Sequence, residues 1–314
     1  MKLSSIIKKG FNFINILGLK KHKVDDNLFF LGDRNLISSF KKIVLYFPDY
    51  EYMHFGDHLF FEPLVRFLKE KGFNLKVIPT SKMEFYFISA GALIGTSEDI
   101  KNADLLITRL EFFPAVKRLK NNILFIDTTS LEIKKHLCQD IVDKVAKFLS
   151  LNADGFYAKP SKLAECVGNI KLDDSYKYIL FNNYIDSGFH RVTKRHYDKL
   201  AIFCKKFAEE KNLKVIHVGT QRDKEKDINK YDFVFLDLRG KTTPQDLFYL
   251  LSQKSVKYGV SFDSFIMHLF FIYDKKVFVL FRGRFIKKAK DYILKYVNPP
   301  FDPKKSLFDV IEYI

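Results

Sequence analysis

No uncharged apolar run in this chain of 314 residues reaches the length of a bilayer-spanning helix, about 20 residues. A helical integral membrane protein is therefore not expected. Cysteine is scarce. Cys138, Cys166 and Cys204 are scattered, share no CxxC spacing and cannot all pair. That argues against a zinc site and for a reducing compartment. A Walker loop is missing as well: Gly240-Lys241-Thr242 looks like its end, but the upstream glycine does not stand at the required spacing. Negative charge is in deficit, with 37 Asp and Glu against 53 Lys and Arg and a formal charge of +16. Such a balance attracts nucleic acid, anionic lipid or a phosphorylated sugar, or it reflects only a solvated lysine-rich surface. Nucleic acid is not an expected partner, because no RNP-type strand or finger spacing is present.

Apolar residues make up 47% of the chain, enough for two ordinary cores, and the length suggests about two domains. Residues 1–36 read as a basic N-terminal extension. Within it Leu3, Ile6, Ile7, Phe11, Ile14 and Leu17 fall near one side of a helix, with lysines around them. Two readings stand for residues 1–23: a helix on the anionic surface of the inner membrane, or one packed on the protein body.

From there the chain alternates strands and helices. Lys42–Phe47, Leu75–Pro79, Asp104–Thr108 and Ile123–Asp127 read as buried strands, and Leu131–Leu149 as an amphipathic helix. Leu59, Leu64, Phe67 and Leu68 give a helix that closes at Gly72, with a kink expected at Pro63. Gly155, Pro160 and Gly168 break any period and mark a linker, 156–176. A second series follows, with strands at Tyr178–Phe181, Leu213–Val218, Phe233–Leu238, Val256–Ser261 and Val277–Phe281. Its helices are Lys194–Lys211, Pro244–Gln253, Ser264–Ile272 and a basic Phe285–Tyr296. The expected fold class is α/β: two Rossmann-like domains with parallel sheets facing a cleft, 37–155 and 177–285, and a C-terminal helix and tail, 286–314, packing back on the first domain.

Three clusters carry chemistry. Gly56-Asp57-His58 stands where a loop enters a helix; Asp57 suits an N-cap, and equally a general base that takes a proton from a sugar hydroxyl as its oxygen attacks. His54 and His58 are four apart and could share a metal, but no third ligand is near, so no metal is expected. His190-Arg191 follows the first strand of the second series, either as exposed loop cations or as a phosphate contact. Asp263, Ser264 and His268 form the sharpest group. With Asp263 as cap and Ser264 opening the helix, His268 lies one turn on. Asp263 would bond sugar hydroxyls, leaving Ser264, His268 and the N–H groups of the helix start for phosphate. The alternative is a cap plus a packed core histidine.

These residues resemble the ADP-heptose–lipopolysaccharide heptosyltransferase family over about residues 42–283. The likeness rests on Gly56-Asp57-His58 with Pro63 and Leu64-Val-Arg-Phe-Leu-Lys69, on Asp237-Leu-Arg-Gly-Lys-Thr-Thr243, and on Asp263-Ser264 followed by Met267-His268-Leu269. The resemblance implies a GT-B fold, with the donor nucleotide on the C-terminal domain and the acceptor on the N-terminal one. It implies an inverting, metal-independent glycosyltransferase without a cofactor. Asp57 matches the catalytic base. Asp263, Ser264, His268, Lys241, Thr242, Gly219 and His190 or Arg191 fall to the donor, and His54 and His58 to the acceptor. Phe265 stands where the family has glycine and narrows the space for donor sugar or phosphate.

The expected activity is transfer of a sugar, heptose from ADP-heptose first, to a lipopolysaccharide or lipooligosaccharide core or another bacterial surface glycan. The expected acceptor is an anionic glycolipid or polysaccharide. The expected place is the cytoplasm, peripheral on the inner membrane. Two alternatives remain: the same fold using another nucleotide sugar for capsule or protein glycosylation, and a non-catalytic α/β protein that binds acidic polymers.

Overall fold

A computed structural model describes residues 22–48, 55–128, 136–163, 168–183, 193–226, 231–262, 264–281 and 308–313. The expected basic helix over 285–296, and the side of residues 1–21 read as amphipathic, lie outside them. The chain divides into two compact units.

The first unit is built on a seven-stranded sheet: β1 Lys23–Asp25, β2 Leu28–Leu31, β3 Lys42–Tyr46, β4 Asn74–Ile78, β5 Leu93–Ile94, β6 Leu105–Arg109 and β7 Asn122–Ile126. Their order is β1-β2-β7-β6-β3-β4-β5. The five strands from β3 to β7 pair in parallel. β3, β6 and β7 are short apolar runs covered on both faces, as a parallel sheet requires, while β4 is partly exposed and the two-residue β5 at the sheet edge leaves Leu93 exposed. β2 breaks the expectation of an all-parallel sheet. It runs antiparallel to β7, with Phe29 opposite Phe125, and hairpins to β1. Residues 23–31 are thus part of the sheet and not an extension. The reason is physical: Leu28, Phe29 and Phe30 are almost fully buried, and each buried side chain of this size contributes about 1.5–3 kcal/mol.

Helix α1, Phe55–Glu70, carries Leu59, Phe60, Phe61, Leu64, Val65, Phe67 and Leu68 into cores. It runs through Pro63. It ends where Gly72 takes φ +82° and the Phe73 N–H reaches back to Leu68 O, a Schellman closure that glycine makes cheaply. Helix α2, Leu137–Phe148, is shorter than its periodicity suggested; residues 129–135 are not among those described.

The second unit carries a six-stranded parallel sheet: β8 Tyr178–Asn182, β9 Lys214–His217, β10 Val234–Asp237, β11 Val256–Phe262, β12 Lys276–Phe281 and β13 Phe308–Tyr313. Its order is β10-β9-β8-β11-β12-β13, the 3-2-1-4-5-6 order of a doubly wound nucleotide-binding sheet. The final strand, β13, occupies a stretch read from sequence as tail; it pairs with β12 along its whole length. Helices α3 Lys194–Glu210, α4 Gln221–Lys226, α5 Pro244–Ser252 and α6 Phe265–Ile272 complete the unit. One core joins Ile179, Phe181, Val215, Val260 and Phe262 from the strands to Leu200 and Cys204 of α3.

Candidate active site

In a doubly wound sheet the chain leaves β8 to one side and β11 to the other, and a crevice opens beyond the carboxyl ends of those two strands. Here that edge is polar although the strands below it are apolar. Asn182 ends β8 and Asn183 follows it, His217 ends β9, Asp237 ends β10, and Ser264 follows β11.

These groups form separate hydrogen-bonded sets side by side. Asn182 Nδ2 donates to Val218 O at 3.0 Å, and Ser264 Oγ lies 3.5 Å from Asn182 Oδ1. Asn183 Nδ2 donates to Tyr231 Oη at 2.8 Å. His217 Nε2 meets Asn183 Oδ1 at 2.8 Å, so this contact assigns the ring proton to Nε2. His217 Nδ1 is then an acceptor, buried and with no hydrogen-bond partner among the described residues. Burial and then the Arg239 charge hold the His217 pKa down to about 3, against a small opposing pull from Asp237. Arg239 grips Asp237 with Nε at 3.0 Å and Nη2 at 2.8 Å, and that grip holds the carboxyl down to about 2.

The turns above β9 and β10 are tied together. Gly240 N donates to Gly219 O at 2.9 Å. A Cβ on Gly219 would lie 2.7 Å from Asp223 Oδ2, and Gly240 has φ +70°, so both positions favour glycine. Lys241 is exposed and Thr242 half-buried directly after this turn. Thr243 caps α5: its Oγ1 accepts from Asp246 N, the Asp246 carboxylate accepts from Thr243 N, and Pro244 takes the first turn.

At α6 the boundary differs from expectation by one residue. Ser264 is the N-cap and Phe265 opens the helix, so Asp263 precedes the cap. Asp263 lies outside the described residues, as do His54, His190 and Arg191. The start of α6 faces the start of α1. By its contacts the described segment 55–59 belongs to the second unit, as does His136. Phe55 and Phe265 meet edge to face, 5.7 Å between ring centroids, and Phe265 also touches Phe248 at 6.2 Å. Asp57 sits in the first turn of α1, two residues inside it, and is not its cap. The helix begins earlier than local sequence suggests because Phe55 and Gly56 are held by α6.

His268 lies one turn into α6, with its ring against Gly56. Burial, then the neighbouring His136, lower its pKa to about 3, while Asp57 pulls the other way. His268 is thus a neutral imidazole at physiological pH, in electrostatic reach of a half-buried carboxylate and a second histidine. His58, expected at the acceptor, is fully buried and as it stands presents no surface to a bound sugar. Sequence reasoning did not single out His136 or His217. The signal for His217 was a polar residue ending an apolar strand; for His136 there was none. Among the described residues no group of three His, Cys, Asp or Glu side chains is set to hold a metal ion, and no helix is long and apolar enough to cross a membrane.

No protein-family model and no curated protein matches the chain. Solved structures do. A glycosyl transferase of family 9 from Veillonella parvula matches with a TM-score of 0.57 at 13% identity, over 87% of each chain. The E. coli heptosyltransferase WaaC with ADP matches with a TM-score of 0.51 at 11% identity, over 86% of this chain and 90% of that one. The iron-containing dodecameric glycosyltransferase TibC of E. coli matches with a TM-score of 0.53 at 13% identity, over 82% of this chain and 61% of that one. The chain therefore has the α/β fold of these glycosyltransferases, the GT-B fold, with a doubly wound parallel sheet in its second unit.

Proposed function

We propose that the protein is an inverting glycosyltransferase that moves a sugar from a nucleotide diphosphate donor, ADP-heptose first among candidates, to a lipopolysaccharide or lipooligosaccharide core or another anionic bacterial surface glycan. One observation carries this reading: Asp57 lies within electrostatic reach of His268, whose helix begins at the switch point of a nucleotide-binding sheet. Structures of WaaC hold ADP and ADP-2-deoxy-2-fluoro heptose, a nucleotide and a nucleotide sugar of the matching class.

Asp57 takes the proton of an acceptor hydroxyl. That oxygen attacks the anomeric carbon from the face opposite the diphosphate, the bond from that carbon to the diphosphate breaks, and the configuration inverts. The leaving diphosphate gathers charge as the bond breaks. The N–H groups at the start of α6, the Ser264 hydroxyl, and the cations Lys241 and Arg191 oppose that charge. His268 is neutral and contributes a hydrogen bond in place of a positive charge. Thr242, Gly219 and His190 complete the donor side, Asp263 bonds sugar hydroxyls, and His54 lies towards the acceptor. Cations and helix N–H groups then do what a metal would do, and the reaction needs none. The enzyme works in the cytoplasm at the inner membrane, with residues 1–23 on the anionic surface.

A thermal-shift panel of ADP-heptose, ADP, GDP and UDP donors tests the class, since a ligand that binds only the folded form raises the melting temperature. Asp57→Ala tests the base: transfer falls by at least about a hundredfold, the scale of general-base loss, while donor affinity holds. Wild-type turnover in that variant rules the base assignment out. A panel in which no nucleotide sugar moves the melting temperature rules out the class.

A further inference from the structure

The end of the second sheet opposite the candidate site has its own pattern. Four adjacent strands begin there, in the order β9, β8, β11, β12. Lys214 opens β9, and its N–H donates to the carbonyl of Lys177, the residue before β8. Tyr178 N donates to Ser255 O, which sets Lys254 and Lys257 beside that pair at the start of β11. Lys276 opens β12 across from Tyr258. Lys275 Nζ reaches the Gln253 carbonyl at 2.6 Å. Neighbouring strands lie about 4.8 Å apart, so six lysines share a rim four strands wide. The acids at this edge are Asp173 and Asp174 in the loop before β8, Glu209 and Glu210 at the end of α3, and Asp232 and Asp274, of which Asp232 already pairs with Lys205 at 3.2 Å and Asp274 with Lys159 and Lys162 at 2.7 and 2.5 Å. The crowding registers on Lys275. Burial, then Lys257 and Lys162, bring its pKa down to about 8.

Two exposed rings flank the row. Tyr176, in the bend before β8, is 42% exposed, and Phe235 of β10 is 54% exposed. They meet at 6.0 Å, and the Lys214 ammonium lies over both, 5.3 and 5.1 Å from their centroids. Rings beside lysines suit a bilayer interface, where the rings enter the headgroup layer and ammonium groups meet lipid phosphates. All six rim cations are lysines. With no arginine fork, nothing there is shaped to read a base edge.

We propose that this lysine and aromatic rim is a docking surface for anionic phospholipid, distinct from the candidate active site and from residues 1–23. The surface holds the enzyme on the membrane by the edge opposite its donor site.

The test is sedimentation of the full chain with vesicles of phosphatidylglycerol in phosphatidylethanolamine, against vesicles of phosphatidylcholine alone. The wild type binds the anionic vesicles, and binding weakens as salt rises. Lys177→Glu, Lys254→Glu and Lys257→Glu together, all at exposed positions, weaken binding by about a hundredfold or more, since each lysine near such a surface is worth roughly a fivefold change. Tyr176→Ser with Phe235→Ser, a second variant in case the first folds poorly, weakens it about tenfold. Donor affinity, measured alongside, stays at the wild-type value in both, so failure here leaves the proposed activity standing. The proposal is overturned if the variants bind anionic vesicles as the wild type does, if both vesicle types bind equally, or if a single-stranded RNA binds the rim and vesicles do not.

Discussion

The His268 ring lies against the backbone of Gly56, so close that a Cβ there would sit 3.3 Å from its Cδ2. The donor-side helix and the first turn that carries Asp57 are therefore in direct contact. Gly56→Ala tests whether this contact sets the donor site. Two effects on stability oppose each other. Alanine gains up to about 1 kcal/mol of helix propensity, while the crowded ring must shift by a few tenths of an ångström. Stability should stay within about 1 kcal/mol of wild type. Donor affinity should fall several-fold, because the displaced group is the His268 imidazole. Calorimetric titration with the donor nucleotide checks this; unchanged affinity removes Gly56 and His268 from the donor site.

Two buried histidines give stability a pH signature. His217 and His268 are held near a pKa of 3, against an ordinary value of 6.5, chiefly by burial. Between those values the unfolded chain binds more protons than the native one. Stability from both residues is therefore full above about pH 6.5 and declines as the pH falls towards 3. Asp237, held near 2 by Arg239, acts lower: its contribution is full above the ordinary carboxylate value and declines only below it. The melting temperature should drop between pH 7 and pH 5, and His217→Gln should shrink that drop. A flat profile over that interval would contradict burial of both rings.

Much of this was legible in the sequence, for one reason. β3, β4, β6 and β7, and β8 to β12, are short apolar runs bounded by turn residues, and such runs have few other uses. β1 and β2 escaped because four apolar residues, Leu28–Leu31, gain strand character only from β7, nearly a hundred positions on. The start of α1 was misjudged for a similar reason. Asp57 has the chemistry of a cap, but long-range contacts from Phe55 to Phe265 and from Gly56 to His268 settle where the helix begins. His136 could not be singled out, since only tertiary structure brings it to His268.

The first unit contains an ion pair, buried on its acidic side, that can be broken from one side. Glu62 has no exposed surface, and Arg66 Nε meets its carboxylate at 2.7 Å one helical turn on. The Arg66 guanidinium also lies over the Phe156 ring, 5.5 Å from the centroid. Arg66→Ala removes one positive partner of a carboxylate held in the interior, at a cost of about 3 kcal/mol. Replacing both, Glu62→Leu with Arg66→Met, removes both charges of the pair and should cost clearly less. Urea unfolding of the three proteins checks the order. A double variant as unstable as the single one would show that packing, and not charge, is what Arg66 supplies.

Phe265 fills the position where the resembled family has glycine, and it is held there: its ring meets Phe55 at 5.7 Å and Phe248 at 6.2 Å. Phe265→Ala deletes both aromatic contacts, each worth about 0.5–1.5 kcal/mol beyond area, and opens space beside the Ser264 cap. Stability should fall by about 2–3 kcal/mol, the range of a large-to-small change at a partly buried ring. Selectivity is the more telling readout. If Phe265 limits the sugar, the variant accepts a bulkier donor relative to a smaller one, with the ratio of kcat/KM values shifted by about tenfold, the scale of one or two methylenes in a pocket. An unchanged ratio with the expected loss of stability would make Phe265 a packing residue that joins the starts of α1 and α6, and would leave the choice of donor to the turns that carry Lys241 and Gly219.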